Sequence, residues 1–337
     1  MNMNGFFLFF LLLLLFAGLE WAYLWVAKKI AIIDKPNLRS SHDRPIVRGG
    51  GIIFPIAWLV YMAVNEFPYP WMSLGLLMLS IVSFVDDIRS LPASVRFPVH
   101  IVSFLLCFAE LGLFTTWPWW VVVASLVVCI GTINAFNFMD GINGITGFYA
   151  LSFLLPFVML TNMESSAEWL TAPFIYLFLA VLAFGLFNFR KVAKCFAGDI
   201  GSIGLAYILL FILLQQLTGS VVVYTEAIQP AEYLLLFAVY GVDSVCTILQ
   251  RLYLRQNIFE PHRMHLYQLL ANERRIPHLQ VAFMYAGLQS ILNMCVWEYA
   301  IRIQSVALIL FGMGIGYILL KRSIYNRTNR DTQTKHV

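Results

Sequence analysis

Charged residues are scarce in this sequence of 337 residues. Only 12% of them are Asp, Glu, Lys or Arg, whereas 60% are hydrophobic. Soluble domains carry about 25% charged residues, so the composition excludes a protein whose whole surface lies in water. The sequence also lacks the two-residue alternation of apolar and polar positions that a transmembrane β-barrel requires. These absences predict an integral-membrane protein built from helices.

Cysteines are few and dispersed, and internal repeats and low-complexity tracts are absent. The spacing of the five cysteines matches neither a disulfide framework nor a zinc site; they are Cys107, Cys129, Cys195, Cys246 and Cys295. Without repeats or composition shifts, nothing divides the chain into modules. We therefore expect a single all-α domain over residues 1–337, with the bilayer as its surroundings and no nucleic-acid partner.

Apolar runs recur along the whole chain. A run of about 17 to 22 residues crosses the roughly 30 Å hydrocarbon core as a helix. The first run, residues 5–27, has no basic region before it, and Lys28 and Lys29 follow it, so we interpret it as a retained span rather than a signal peptide. We predict about eleven spans, or ten if the shortest fail, starting near Gly5, Gly50, Trp71, Phe97, Pro118, Ile145, Pro173, Ile200, Ala231, Leu279 and Ile303.

Basic residues lie almost entirely on one side of these spans. An N-terminus outside places 21 of the 22 Lys and Arg residues in the C-terminal tail and in the loops 28–49, 85–96, 134–144, 188–199 and 251–278. The opposite loops hold seven Glu residues and only one Arg, Arg302. Because cytoplasmic loops carry the excess of Lys and Arg, we expect a cytoplasmic C-terminus, a bacterial inner membrane and a site in those five loops.

Two adjacent carboxylates, Asp86 and Asp87, end the third predicted span. Such a pair repels itself unless a cation or a shared proton compensates, so it predicts a metal or phosphate site. A solvated helix end beside Arg89 is the alternative. Asp199 begins the eighth span after Gly198, where it could simply cap the helix. It could also hold Mg2+ while the free N–H groups of the helix receive a diphosphate.

The segment 134–144 contains three polar residues at a spacing of three, Asn134, Asn137 and Asp140. A helical turn would align them on one face. Gly141 and Gly144 would leave bare backbone where a ligand or a helix can approach. Packing of small residues between helices is the alternative, but it does not explain an ionisable Asp beside two amides.

Two basic loops could bind phosphate on the same side. The loop 251–278 contains His262, Arg263 and His265, which are suited to phosphate oxygens, although lipid head groups would also attract them. The first loop could line the same basin, or its charge could be only juxtamembrane; its basic residues include Arg39, His42, Arg44 and Arg48.

Asp243 lies inside the ninth predicted span, two helical turns from Arg251. An intramembrane Asp usually faces the bundle interior with a partner. We interpret it as structural, paired with Arg251 or making a polar contact between helices, in preference to a ligand role.

Four of these segments together resemble the polyprenyl-phosphate N-acetylhexosamine-1-phosphate transferase family, bacterial glycosyltransferase family 4. Their order, spacing and sidedness agree over residues 28–278. The matching pieces are the Asp86 and Asp87 pair, the Asn134 to Gly144 stretch, the run from Phe196 to Ser202, and the loop with Arg263 and His265. The resemblance implies ten or eleven helices around a cytoplasmic cleft, a UDP-sugar donor, a polyprenyl-phosphate acceptor, and Mg2+, for which Mn2+ could substitute.

The resemblance also implies roles for individual residues. Asn137 and Asp199 would contact the metal, and the catalytic acids would be Asp86, Asp87 and Asp140. The substrate-binding residues would be Arg48, Asn134, Asn143, Asn188, Phe196, His262, Arg263 and His265. Two departures stand out: Asn143 replaces an acid of several bacterial members, and Tyr267 replaces the second histidine of the usual His-x-His.

The loop from Glu260 to Gln268 resembles the branch that initiates O-antigen or other surface polysaccharides. A peptidoglycan-precursor transferase is the alternative within the family, and a lipid-linked sugar flippase is the alternative from another class. The sequence leaves open the sugar, a homodimer, and the choice between direct transfer and a covalent aspartyl intermediate.

Overall fold

The computed structural model describes residues 3–34, 44–160, 171–218, 232–258, 262–298 and 303–333. Within these ranges the chain is almost entirely helical, which confirms the all-α prediction. The long helices are α1 (Met3–Lys29), α2 (Ile53–Val64), α3 (Pro70–Ile88), α4 (Ala93–Glu110), α6 (Trp119–Met139), α7 (Ile145–Leu160), α8 (Pro173–Asn188), α9 (Gly198–Leu217), α10 (Ala238–Tyr253), α12 (His278–Glu298) and α13 (Ile303–Gln333). The short elements are α5 (Leu113–Thr116), α11 (Leu266–Gln268), 3-10 turns at Gly50–Ile52 and Glu232–Phe237, and a π turn at Leu269–Glu273.

The apolar helices correspond one by one to the predicted spans. Among the residues that the structure describes, eight helices are long and apolar enough to cross a membrane, and three shorter ones cover Gly50–Val64, Ile145–Met159 and Pro173–Asn188. Pro70 and Pro173 lie in the first turn of α3 and α8. Proline is tolerated there because a backbone N–H at this position would have no partner within the helix. The Glu110 carboxylate accepts hydrogen bonds from the backbone N–H groups of Trp71 and Met72 at 2.6 and 3.0 Å, so α4 caps the start of α3.

Helix α9 is the centre of the bundle. In α9, 89% of the most apolar stretch is buried inside the protein, whereas the corresponding share is 17% in both α1 and α13. Helices α3 and α6 pack along it. A Cβ atom on Gly51 would overlap the Cα atom of Gly201. The backbone of α9 is therefore in direct contact with the backbone of the 3-10 turn that precedes α2. The start of α9 is therefore fixed by its neighbours.

A small backbone assembly, which the helical pattern did not predict, joins the first loop to the loop before α9. Strand β1 (Ile33–Asp34) pairs antiparallel with β2 (Ile46–Val47). The N–H of Phe196 then donates to the carbonyl of Val47 at 2.9 Å, and the N–H of Gly50 to the carbonyl of Phe196 at 2.8 Å. These bonds place Arg48 directly beside the first turn of α9.

Candidate active site

Three carboxylates meet at the N-terminus of α9. The Asp87 oxygens accept hydrogen bonds from the N–H groups of Asp199 at 2.8 Å and Ile200 at 3.1 Å. Asp140 accepts one from the N–H of Gly198. Negative side chains at this end of a helix satisfy free N–H groups and complement the helix dipole. Gly198 has φ +71°, and a Cβ there would lie 2.6 Å from Asp87 Oδ2, so this position requires glycine.

This capping corrects one sequence interpretation. One alternative left the N–H groups of the first turn free for a diphosphate, but Asp87 and Asp140 already engage three of them. The solvated helix end proposed as an alternative for Asp86 and Asp87 is also wrong, because these residues are only 7% and 8% exposed.

Two arginines compensate the acids. Arg48 Nε lies 2.7 Å from Asp87 Oδ1, and its Nη2 lies 3.0 Å from Asp199 Oδ1. Burial lowers the pKa of Arg48, but Asp199 and Asp87 raise it by more, so its pKa lies above the usual value. Arg96 Nη1 lies 2.8 Å from Asp86 Oδ2 and 3.9 Å from Asp199 Oδ2. Arg96 was not among the predicted site residues. The sequence feature that could have indicated it is its position as a cation directly before the predicted span that starts near Phe97.

Of Asn134, Asn137 and Asp140 in the 134–144 segment, the last two join this cluster. Asn137 Nδ2 donates to Ser202 Oγ at 3.3 Å, and its side chain also hydrogen-bonds to Asp199. Asp140 follows the end of α6 and accepts a hydrogen bond from the Thr146 hydroxyl at 2.6 Å. Burial raises the pKa of the Asp140 carboxyl to about 6, and the Thr146 hydrogen bond opposes the rise. Asn134 bonds only back to the carbonyl of Ile130, at 2.7 Å, among its described hydrogen bonds.

Asn143 and Asn188 connect the neighbouring loops. Asn143 Nδ2 donates to the carbonyls of Arg190 and Lys191 at 2.9 and 3.1 Å. Asn188 Oδ1 accepts the N–H of Gly144 at 2.7 Å, and its Nδ2 donates to the carbonyl of Cys195 at 2.8 Å. Both are buried, so their first role is to hold the loops together. Their contacts with substrate stay predictions, as does the stacking role of the half-buried Phe196.

The part of loop 251–278 that begins at His262, here called the histidine loop, packs against segment 134–144. The Tyr267 hydroxyl donates to the carbonyl of Phe138 at 3.0 Å, and a Cβ on Gly141 would overlap that hydroxyl. Tyr267 is fully buried, so the residue that replaces the second histidine supports the segment rather than facing a ligand. Arg263 is half-buried.

The rings of His262 and His265 are in contact, with centroids 4.9 Å apart and planes tilted by 31°. Burial first, then His265 and Arg251, lowers the pKa of His262 to about 4. His262 is therefore neutral at neutral pH and can offer a phosphate a hydrogen bond but no charge. Its Nδ1 accepts the N–H of Met264 at 3.3 Å, which leaves Nε2 as the nitrogen that carries the proton.

Of the two structural interpretations of Asp243, the pair with Arg251 is wrong, whereas the polar contact between helices is confirmed, because the Tyr285 hydroxyl of α12 donates to Asp243 Oδ2 at 2.6 Å. Arg251 donates instead to the carbonyls of Asn257 and Ile258, at 2.5 and 3.2 Å. Asp243 Oδ1 lies 3.0 Å from His265 Nδ1. The sequence showed two residues two turns apart on one helix, but it did not show that a loop folds back over Asp243. Arg39, His42, Glu260 and Pro261 lie outside the described residues.

The cluster offers the donor atoms that Mg2+ prefers. Asp199 and Asn137 supply carboxylate and amide oxygens, and four carboxylates face two guanidinium groups, which leaves excess negative charge. Within the described ranges, no three His, Cys, Asp or Glu side chains form a cage that could hold a metal alone. Mg2+ commonly takes one or two carboxylates and completes its shell with water and substrate phosphates, so these residues fit that ion.

Apolar helices with an acidic, arginine-compensated cluster at one end define a multi-pass membrane protein with an interfacial site. The sequence model of glycosyl transferase family 4 matches residues 69–216 of this chain. That range contains all four clustered Asp residues. The family resemblance inferred from the sequence segments is thus confirmed.

Several curated proteins align with most of this chain. The undecaprenyl-phosphate alpha-N-acetylglucosaminyl 1-phosphate transferase of Salmonella typhi is 29% identical over 272 residues, covering 73% of this chain and 70% of the relative. The proteins of the same name from Yersinia pestis and Escherichia coli strain K12 are 29% and 28% identical, over 281 and 272 residues. The alignment with the Yersinia pestis protein covers 74% of this chain and 73% of that protein. The alignment with the Escherichia coli protein covers 73% of this chain and 70% of that protein.

Proposed function

We propose that this protein transfers an N-acetylhexosamine-1-phosphate from a UDP-sugar to undecaprenyl phosphate or another polyprenyl phosphate, releasing UMP. The reaction takes place at the cytoplasmic face of a bacterial inner membrane and initiates a surface polysaccharide such as O-antigen. The observation that carries this proposal is the meeting of Asp86, Asp87, Asp199 and Asn137 at one end of the helices. The names of the relatives support the same reaction class, and no observation favours a flippase.

The acceptor needs positioning more than deprotonation. A phosphate monoester has a second pKa near 6 and is largely a dianion at neutral pH, so little general-base help is required. The Arg96 side chain is 32% exposed and lies between Asp86 and Asp199. We assign it to the acceptor phosphate, with Asp86 orienting its guanidinium group.

Asp87 has a different role. Its side chain is fully enclosed, and its oxygens are engaged by Arg48 and by the start of α9. It therefore holds Arg48 and Asp199 in place and is poorly placed to act as a covalent nucleophile, which favours direct transfer.

Asp199 and Asn137 would hold Mg2+, which when bound supplies charge neutralisation for the donor diphosphate. Arg48, His262, Arg263 and His265 would hold the donor phosphates. Attack by the acceptor oxygen at the sugar-bearing phosphorus leaves the anomeric C–O bond intact, so the sugar keeps its configuration.

Asp199→Asn tests the proposal most directly. Purified protein with UDP-N-acetylglucosamine or a related donor, undecaprenyl phosphate and Mg2+ should release UMP, and a chelator should stop the release. The variant should lose more than about a hundredfold in turnover, as for other electrostatic stabilisers of a transition state, while its melting temperature changes little. Glu66→Gln, at an exposed position at the other end of the molecule, should keep wild-type activity.

Folded wild-type protein that releases no UMP across a panel of UDP-sugars would contradict the proposed reaction. An active Asp199→Asn variant would remove Asp199 from the metal site and leave the reaction class standing.

A further inference from the structure

Asp243 is a buried carboxylate with an unusual number of hydrogen-bond donors around it. It lies in α10 and is 1% exposed. Its Oδ1 lies 3.0 Å from His265 Nδ1 and accepts the N–H of Leu266 at 3.2 Å. The Tyr285 hydroxyl donates to Oδ2 at 2.6 Å, and the hydroxyls of Tyr317 and Thr247 donate to Oδ1 at 3.1 and 3.3 Å. A carboxylate in this setting is held in one orientation from α10, α12, α13 and the histidine loop.

Asp243 does not contact a substrate directly, because donors from the protein already occupy both of its oxygens. His265 is the residue through which it can reach the site. A carboxylate beside one imidazole nitrogen keeps a proton on that nitrogen and fixes the plane of the ring. The His265 ring also contacts the rings of His262 and Tyr267, with centroid distances of 4.9 and 5.8 Å.

We infer that Asp243 is a positioning residue for His265: it fixes Nδ1 toward the protein and so presents Nε2 to the donor phosphates. The inference rests on the proposed function, in which His265 binds those phosphates. A merely structural Asp243 would stabilise α10, α12 and α13 without any effect on donor binding.

A double-mutant cycle separates the two roles. The variants are Asp243→Asn, His265→Ala and the double variant; the affinity for UDP-N-acetylglucosamine with Mg2+ is measured by calorimetry, together with donor KM, acceptor KM and melting temperature. Asp243→Asn should weaken donor binding about tenfold, the loss typical of removing the partner that orients a ligand-binding histidine, and leave acceptor KM unchanged. In the His265→Ala background it should weaken donor binding no further.

Tyr285→Phe is the matched control, because it removes the donor to Oδ2, whereas Oδ1, which contacts His265, keeps its donors from Leu266 and Tyr317. It should lower the melting temperature and leave donor affinity unchanged. If Asp243→Asn fails to fold, His265→Asn serves instead, because its amide can still donate to Asp243 while the Nε2 atom is lost. That variant should keep the wild-type melting temperature and lose donor affinity.

Losses that multiply in the double variant, unchanged donor affinity in Asp243→Asn, or full donor affinity in His265→Asn would each overturn the inference. In those cases the proposed function stands if the wild type turns over. A wild-type protein that binds no UDP-sugar would instead overturn the proposed function and the inference with it.

Discussion

Asn188 is a buried amide at the end of α8 that satisfies two backbone groups from two loops. It accepts the N–H of Gly144 and donates to the carbonyl of Cys195. A buried backbone group left without a partner costs about 1–3 kcal/mol. Asn134 has the same side chain, but it bonds back to the carbonyl of Ile130 in its own helix, where the geometry of α6 does not depend on it.

Asn188→Ala should therefore lower the free energy of unfolding by about 2–4 kcal/mol, since two buried groups lose their partner. Asn134→Ala should change it by less than about 1 kcal/mol, in the range of an ordinary single hydrogen bond. Thermal melting in detergent of the two variants beside the wild type measures the difference. An Asn188→Ala protein that melts like wild type but has a raised donor KM would show that the amide contacts substrate.

The sequence indicated which acids matter but not which side chains they pair with. Asp86, Asp87 and Asp199 are visible because charge at the edge of an apolar run is costly and so informative. Arg96 and the bond between Asp243 and His265 were missed. The partners lie 10 and 22 residues apart along the chain, and periodicity within one helix carries no information about how a loop folds back.

At the scale of the element, α9 depends on close contact at its first turn. A Cβ on Gly201 would lie 2.5 Å from the Cα of Gly51, whereas a Cβ on Gly204, one turn later, would make only ordinary contacts with Pro55 and Leu76 at 3.7 and 3.9 Å. Both glycines are buried in the same helix, so they differ in contact distance rather than in environment.

Gly201→Ala should destabilise the protein by about 1–3 kcal/mol or more through overpacking and should shift the acidic cluster with α9. Gly204→Ala should be neutral or slightly stabilising, because alanine favours a helix over glycine by about 1 kcal/mol. Melting temperature and UMP release for both variants test this. Equal losses in the two variants would mean that the contact between Gly51 and Gly201 does not constrain α9.

The helices were predicted well because each apolar run is a local signal. The two-residue strands were not, because Val47 and Phe196 are joined through their backbones and backbone hydrogen bonds leave no trace in side-chain pattern.

For the whole molecule, sidedness is the property that sequence and structure express in the same way. The ends of α3, α6 and α8 and the starts of α4, α7 and α9 carry the site residues and their partners. Helices that alternate in direction across a bilayer bring such ends to one face. Charge placement in the loops predicts that this face is cytoplasmic.

Cysteine labelling checks this orientation. In spheroplasts, Glu66→Cys should react with a membrane-impermeant maleimide without lysis, whereas Lys191→Cys should react only after permeabilisation. Both positions are exposed, and the wild-type protein gives the background from its own cysteines. Labelling of Lys191→Cys in intact spheroplasts would reverse the orientation.

The distances along the chain between the capping groups also bear on how the protein is made. Asp86 meets Arg96 within one helical hairpin, so this pair can form as soon as α3 and α4 are inserted. Asp87 is separated by 112 residues from Asp199 in the first turn of α9. Until that part of the chain is synthesised, Arg48 is the counter-charge available to Asp87. A nascent chain that stops before residue 198 would leave Asp87 at the membrane edge without the two N–H groups that it accepts in the complete protein.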